Sequence, residues 1–254
     1  MHPLRAGHRG IALAQAARGR GYLRADAHRV SAPARLLPRY AAWSLDAALI
    51  AALLAPFLWD RVARDLHALE QSFVAVLDTF YGAVARQLDA GGVPDVFALA
   101  SDTSIRPAIA ALEMALLRAL CVPTIAFALA MLVWQVAGEQ SRWQGSPGKR
   151  ALRLRVVDRD GAAPGLLRSI GRELAGLLSW LTLNIGHVMA AVPPTYLALH
   201  DRVSGTRVVR EDAPLPAWVR GWILLQASVA AALTIAMTGH LASLAQAAVE
   251  RALG

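Results

Sequence analysis

Four long apolar blocks alternate with charged segments along the chain. They cover 40–59, 119–138, 174–199 and 221–239, and Asp46 is the only Asp, Glu, Lys or Arg inside any of them. Each block has about 20 residues, the length of helix that crosses the hydrocarbon core of a bilayer. None shows the polar face, recurring every 3.6 residues, of a helix in a soluble protein. The pattern predicts an all-α membrane protein, a helical bundle with about four apolar segments.

The same pattern divides the chain into three regions. We expect a basic cytoplasmic arm over 1–38, a membrane domain over 39–209, and a further span and tail over 210–254. The membrane domain should contain spans at about 40–59, 108–138 and 174–199, and the C-terminal region should contain a span at about 217–239.

The third apolar block can be interpreted in two ways, because Asn184–His187 and Pro193-Pro194 interrupt it. A full span would place Asp201 outside the cell, whereas a broken hairpin would return it to the cytoplasm. Broken helices occur at membrane depth only where protein or water covers their backbone. Residues 152–157 and 205–209 alternate in strand fashion and could pair in a small cytoplasmic β-hairpin if both lie on one side. We favour the broken hairpin.

Composition and charge support this class of protein. The chain is 56% apolar and 17% charged, whereas soluble domains carry about 25% charged residues. Residues 1–39 contain eight arginines and one acid, and residues 139–173 contain eight basic residues and four acids. Residues 60–107 contain seven acids and four arginines. Because basic loops stay in the cytoplasm, we expect the N-terminus and 139–173 inside and 60–107 outside.

The net charge of +8 does not indicate nucleic-acid binding, because the basic arm has almost no aromatic residues that could stack on bases. We expect these segments to contact anionic lipid headgroups of the bilayer instead.

The segment 60–107 contains a predicted amphipathic helix. Its apolar residues recur at spacings of three and four, and Gly91-Gly92-Val93-Pro94 should end it. They are Leu66, Leu69, Phe73, Val76, Phe80 and Val84. Packing on the membrane domain or its surface is favoured over a coiled-coil dimer, since the stripe covers fewer than three heptads.

Asp46 is the candidate residue for chemistry inside the membrane. A charge at that depth costs about 2.5–3.5 kcal/mol on insertion scales and usually faces protein or water. As a functional carboxylate, it would bind a proton and a cation in competition. As a structural residue, it would bond to backbone amides or to side chains such as Lys149 and Arg202. Arg39 lies on the same helix face, about 10 Å away along the axis.

We expect Asp46 and Asp201 to share one cytoplasmic-side polar cluster with one or more of Lys149, Arg202 and Arg207. Asn184 and His187 could add polar groups at mid-membrane, or could satisfy only the helix break.

Motifs for enzymatic chemistry do not fit. Gly145–Lys149 departs from the phosphate-loop pattern, because Arg150 rather than Ser or Thr follows the lysine. His200 and Asp201 are adjacent in sequence and near Ser204, a spacing that rarely gives triad geometry. Cys121 is the only cysteine, which excludes disulfides and Cys-based zinc sites. We predict no enzymatic activity, no cofactor and no bound metal.

Three ordered segments resemble the RDD family of bacterial membrane proteins. Arg39 and Asp46 in RYAAWSLD resemble its arginine and first aspartate. Residues 145–158 resemble its Gly-x-Pro-Gly-Lys turn and strand, and include Lys149. Residues 200–209 resemble its closing motif, with Asp201 as the third letter of the name. That motif also contains Arg202, Thr206 and Arg207.

This resemblance implies a multi-spanning inner-membrane protein. Transport is suggested for the family, and cation/proton exchange is proposed for some members. The chain departs from the family pattern in the longer 60–107 segment and in the added span after residue 210.

Two hypotheses follow. In the first, the protein is a small-ion transporter that uses Asp46, and four spans would then form a homo-oligomer to enclose a path. In the second, it is a membrane scaffold or accessory protein whose Arg/Asp cluster is structural.

Overall fold

A computed structural model describes residues 32–211 and 214–253. Residues 1–31 of the predicted basic arm therefore lie outside the described residues. The helices are α1 (Leu36–Asp89), α2 (Val96–Ser101), α3 (Ile105–Gln140), α4 (Pro147–Ala151), α5 (Leu166–Leu181), α6 (Ile185–Val188), α7 (Leu199–Ser204) and α8 (Trp218–Leu253). The strands are β1 (Ala32–Pro33), β2 (Leu154–Asp158) and β3 (Thr206–Arg210). The predicted fold class, mostly α-helical with a small sheet, is confirmed.

Three of these helices are long and apolar enough to cross a membrane. They are α1, α3 and α8, with 54, 36 and 36 residues. Their outward faces are rich in leucine, isoleucine and valine; Val133, for example, is 67% exposed and Ile235 is 74% exposed. Such surfaces suit lipid rather than water, which agrees with the membrane assignment.

Helix α1 is longer than the sequence predicted. The first span and the amphipathic helix of 60–107 form one continuous helix about 80 Å long. The charged stretch 60–65 contains no glycine or proline, and Arg61 pairs with Asp65 one turn later at 3.4 Å, so nothing there breaks the helix. Helix α8 likewise extends past the predicted end at 239, to Leu253, because its last turns are rich in alanine.

The chain forms two compact units. The sheet unit comprises residues up to Ala42 together with Gly138–Leu215, and the helical unit comprises Trp43–Ala137 together with the chain from Pro216 onward.

Side-chain contacts give the helix directions in the helical unit. Asp46 near the start of α1 accepts a hydrogen bond from Trp134 near the end of α3, at 3.0 Å. Farther along α1, Ala68 lines a cavity with Met114 from the first part of α3, so these helices are antiparallel. Ser44 and Asp78 of α1 contact Trp222 and Arg251 of α8, at 3.0 and 2.7 Å, so these two helices are parallel. The end of α3 and the start of α8 therefore lie at the same end of the helical unit.

The third apolar block is broken by a sharp bend rather than forming one straight helix. Helix α5 ends at Leu181, and the chain bends by 115° before residues 185–191. Asn184 adopts a left-handed conformation with φ of 65° at the bend, a conformation that asparagine tolerates better than most residues. A Cβ at Gly186 would overlap Ser179 Oγ and lie 2.9 Å from Leu199 Cβ. The return of the chain thus requires glycine at this position.

The sheet unit contains a three-stranded antiparallel sheet in the order β1-β3-β2. The predicted pairing of the two strand-like segments is confirmed, with Arg155 opposite Val209 and Val157 opposite Arg207. The sheet is not a simple hairpin, since β2 and β3 are far apart in sequence and β1 adds Ala32 and Pro33 along the other edge of β3. Pairing of β2 with β3 places the strand that follows the Gly145–Lys149 turn beside the closing motif of residues 200–209.

Candidate functional site

Asp201 is the centre of a buried charged cluster in the sheet unit. It lies in the first turn of α7 and is completely buried. Its Oδ2 accepts hydrogen bonds from Arg39 Nη1 and from the backbone N–H of Ala198, and its Oδ1 accepts one from Arg172 Nη1 at 3.0 Å. Arg39 also donates to the carbonyl oxygen of Tyr196 at 2.8 Å. Two arginines and a backbone amide therefore hold one carboxylate.

The charges around Asp201 keep it ionised. Burial alone would raise the pKa of Asp201, but the nearby charges of Arg172 and then Arg39 outweigh burial and lower the pKa to about 2. The carboxylate therefore exchanges no proton near neutral pH.

A second buried carboxylate, Glu139, extends this cluster. It lies at the end of α3 and is fully buried. Its Oε1 accepts a hydrogen bond from Lys149 Nζ at 2.8 Å and lies 3.2 Å from Arg172 Nε. Arg172 thus bridges two carboxylates, and each of these has a further cation of its own. We call Arg39, Glu139, Lys149, Arg172 and Asp201 the charged network.

The Gly145–Lys149 turn reaches the charged network because glycine permits close packing. A Cβ at Gly138 would lie 2.6 Å from both the backbone nitrogen and the Cα of Ser146. The backbone N–H of Gly145 also donates to the carbonyl oxygen of Gly138 at 2.9 Å. This contact sets the start of α4, from which Lys149 extends to Glu139.

Two more polar residues border Arg172. His200 Nε2 lies 3.1 Å from Arg172 Nη2, and since arginine can only donate, Nε2 is the acceptor of a neutral imidazole. Burial, and next the charge of Arg172, hold the pKa of His200 well below its usual value. Thr206 Oγ1 lies 3.5 Å from Arg172 Nη1. Neutral and charged partners together fix the guanidinium in one orientation.

Asp46 belongs to the helical unit and has a different environment. It is 1% exposed. Its Oδ1 accepts a hydrogen bond from Trp134 Nε1 at 3.0 Å, and its Oδ2 accepts one from Gln135 Nε2 at 3.1 Å. Both donors are uncharged side chains of α3. We call Asp46, Trp134 and Gln135 the Asp46 site.

The structure brings some of the predicted site residues together and separates others. Arg39 and Asp201 are paired, and Lys149 joins them through Glu139 and Arg172. Of the three candidates Lys149, Arg202 and Arg207, Lys149 is therefore the one in the cluster. Arg202 and Arg207 are exposed, because their positions on α7 and β3 face away from its buried side.

The other two predicted supporting residues lie at the helix break. Asn184 is exposed, and its side-chain oxygen lies 3.2 Å from His187 Nδ1. The carbonyl oxygen of Asn184 accepts hydrogen bonds from the backbone N–H groups of His187 and Val188, each at 3.0 Å. These contacts satisfy the broken helix, as one of the two interpretations proposed.

Sequence reasoning missed four residues of the two sites: Trp134, Gln135, Glu139 and Arg172. A usable signal existed for two of them. Gln135 carries the only amide side chain in the block 119–138 and precedes Glu139 by four residues, so both lie on one helix face. Arg172 gave no such signal, because it lies within a segment that charge counting assigns to a loop.

Metal binding finds no support in the described ranges. Within 32–211 and 214–253, no three or more His, Cys, Asp or Glu side chains are grouped so that they could hold a metal ion.

Long apolar helices, with the buried carboxylate of Asp46 between α1 and α3, are typical of a multi-pass α-helical membrane protein. The sequence profile of the RDD family matches residues 33–205, more than half of the chain, and this chain belongs to the RDD family. It is also similar to the uncharacterized protein YxaI of Bacillus subtilis (strain 168), with 36% identity over 93 residues. That match covers 34% of this chain and 61% of the relative's length. No solved structure matches.

Proposed function

We propose that this RDD-family protein exchanges small monovalent cations for protons across the membrane, with Asp46 as the exchanging carboxylate. One observation carries the proposal: Asp46 is a fully buried carboxylate on a helix long and apolar enough to cross a membrane, and the uncharged side chains of Trp134 and Gln135 each donate a hydrogen bond to one of its oxygens. Intramembrane carboxylates of this kind mark ion and proton pathways.

The charged network has a different role in this proposal. Arg39 and Arg172 hold Asp201 in its ionised form, and Lys149 and Arg172 do the same for Glu139 through direct ion pairs. Groups held in this way neither bind nor release a proton during a transport cycle. The charged network therefore stabilises the sheet unit and takes no part in proton exchange.

In this proposal the protein acts as a homo-oligomer in a bacterial inner membrane. It has no enzymatic activity and no nucleic-acid partner. Three full crossings are few to enclose a path in one subunit, which favours oligomerisation. The charge counts favour a cytoplasmic N-terminus, and the parallel course of α1 and α8 then puts the C-terminus outside. Exposed arginines such as Arg155 and Arg207 on the sheet suit anionic lipid headgroups.

Ion flux in proteoliposomes tests the proposal. Purified protein is reconstituted with a pH-sensitive dye inside, and sodium or potassium is added outside. The wild type should move protons in response, and Asp46→Asn should not. Asp60→Asn is the matched control, because it removes an exposed carboxylate from the same helix and should leave exchange intact. Equal flux in all three proteins, or none in the wild type, would contradict the proposal.

A second candidate is a membrane scaffold or accessory protein. The observation that favours it is the extent of the charged network, which joins α1, α3, α4, α5 and α7 through ion pairs suited to stability rather than turnover. Under this alternative the wild type gives no cation-dependent flux, and Asp46→Asn changes only abundance or thermal stability.

A further inference from the structure

Within the described residues, only the nitrogen of the Gln135 side-chain amide makes a hydrogen bond. Its Nε2 donates to Asp46 Oδ2 at 3.1 Å, and the residue is 3% exposed. Among the described residues, no hydrogen-bond donor reaches its Oε1, which is also buried. Buried amide oxygens nearly always have a partner, so an orphaned one calls for an explanation.

Ion exchange at Asp46 would explain why Gln135 Oε1 has no hydrogen-bond donor. An ionised carboxylate needs donors around it, as Trp134 Nε1 and Gln135 Nε2 provide. A protonated carboxyl group, or a carboxylate that holds a cation, needs an oxygen acceptor or ligand instead. Tryptophan can only donate, whereas an amide carries a donor and an acceptor and exchanges them when it turns over.

We propose that Gln135 Oε1 is the second oxygen ligand for the ion at Asp46. This inference rests on the proposed exchange function. It adds Gln135 Oε1 as a ligand and a rotation of the Gln135 amide. The hydrogen bond from Nε2 to Oδ2 that the structure contains suits the ionised carboxylate. When a proton or a monovalent cation binds to Oδ2, the amide turns so that Oε1 accepts the O–H bond or coordinates the cation.

The exchange is balanced in atoms and charge. A cation that enters the protonated site displaces the proton from Asp46, the O–H bond breaks, and the proton leaves to water. The site is neutral before and after, because one bound cation replaces one bound proton. Amide and carboxylate oxygens are suitable ligands for sodium and potassium, and one negative charge matches a monovalent ion. Trp134 can stay bonded to Oδ1 in both states.

The first test measures sodium-dependent exchange in proteoliposomes for Gln135→Met, Asp46→Asn and the wild type. Methionine keeps the length of glutamine and removes its oxygen ligand. The sodium concentration for half-maximal exchange should rise about tenfold or more in Gln135→Met, as for loss of one supporting ligand. The matched control is Gln226→Met, which removes a part-buried amide bonded to Ser44 and should shift that concentration less than about twofold.

The outcomes separate the two proposals. Wild-type exchange that is lost in Asp46→Asn but has unchanged sodium dependence in Gln135→Met would overturn this inference alone. Exchange that persists in Asp46→Asn would overturn the proposed function and this inference with it.

A second measurement needs no variant that might fail to fold. The wild type, with carbon-13 in its glutamine side-chain carbonyls, is examined by infrared difference spectroscopy as sodium is added. One glutamine carbonyl band should shift as the amide changes partner. Saturation with sodium and no shift in any glutamine carbonyl would overturn the proposal.

Discussion

Replacement of Arg172 by methionine is the most informative perturbation of the charged network. The guanidinium is 4% exposed and bridges Asp201 at 3.0 Å and Glu139 at 3.2 Å. Loss of one member from a buried ion pair costs about 3–5 kcal/mol, because the remaining charge loses its partner. Here each carboxylate keeps one cation, Arg39 or Lys149, so we expect the lower end, about 3 kcal/mol.

This loss should be visible as a change in melting temperature. For chains of this size, 1 kcal/mol corresponds to about 2–4 °C, so Arg172→Met should lower Tm by roughly 6–12 °C. The assay is thermal unfolding in detergent, followed by intrinsic fluorescence and checked by size-exclusion chromatography.

The matched control is Arg168→Met, one turn earlier on α5. Its side chain is 54% exposed and pairs only with Asp158 at 3.3 Å, and such surface pairs contribute about 0–1 kcal/mol. Its Tm should therefore fall by no more than about 4 °C. Equal Tm values for the two variants would refute the idea that Arg172 is a buried bridge. Glu139→Gln should cost less in the Arg172→Met background than alone, because neighbours in one network are not additive.

Three further predictions concern packing, pH and topology. Gly138→Ala should sharply lower the yield of folded protein, since its Cβ would overlap backbone atoms. Gly176→Ala should fold normally, because nothing lies within 4 Å of its added Cβ. Fluorescence-detected size-exclusion chromatography compares the two variants. The pKa of His200 is lower in the folded protein than in the unfolded chain, so the unfolded chain binds the proton first as pH falls. The stability that neutral His200 contributes is therefore present above about pH 6.5 and is lost as pH falls below it. Tm should accordingly fall between pH 7 and pH 5 in the wild type and less in His200→Gln, and equal pH slopes would count against this assignment. Single cysteines at Ala90 and Glu250 should be labelled from the same side of the membrane, since α1 and α8 run parallel, and labelling from opposite sides would disprove that arrangement.

The membrane class and two of the charged positions were accessible from sequence, for identifiable reasons. Hydropathy depends only on local composition, so it located α1, α3 and α8. The ordered motifs identified Arg39 and Asp201, which the fold joins in one ion pair. The strand-like alternation in 152–157 and 205–209 is typical of a pleated, half-buried surface, and the strands that overlap these segments, β2 and β3, do pair.

Other features depend on how the chain returns on itself. Helix α1 continues beyond Trp59 because the charged stretch 60–65 contains no residue that breaks a helix. A prediction from hydropathy alone therefore ends the helix too early. Arg172 lies at the centre of the charged network only because the chain reverses direction at Asn184, after α5. This reversal brings α7 back beside α5. The donors of Asp46 come from α3, almost ninety residues away, and no local pattern indicates such a pairing.

Proton release on cation binding tests most directly whether Asp46 is an exchanging carboxylate. Protein in detergent and weak buffer, near neutral pH, is mixed with sodium or potassium chloride while a dye reports free protons, with choline chloride as the ionic-strength control. The account predicts saturable release of up to one proton per subunit from the wild type and none from Asp46→Asn, with Asp60→Asn resembling the wild type. Release from Asp46→Asn equal to that of the wild type, or no release from the wild type at any pH between 6 and 9, would contradict it.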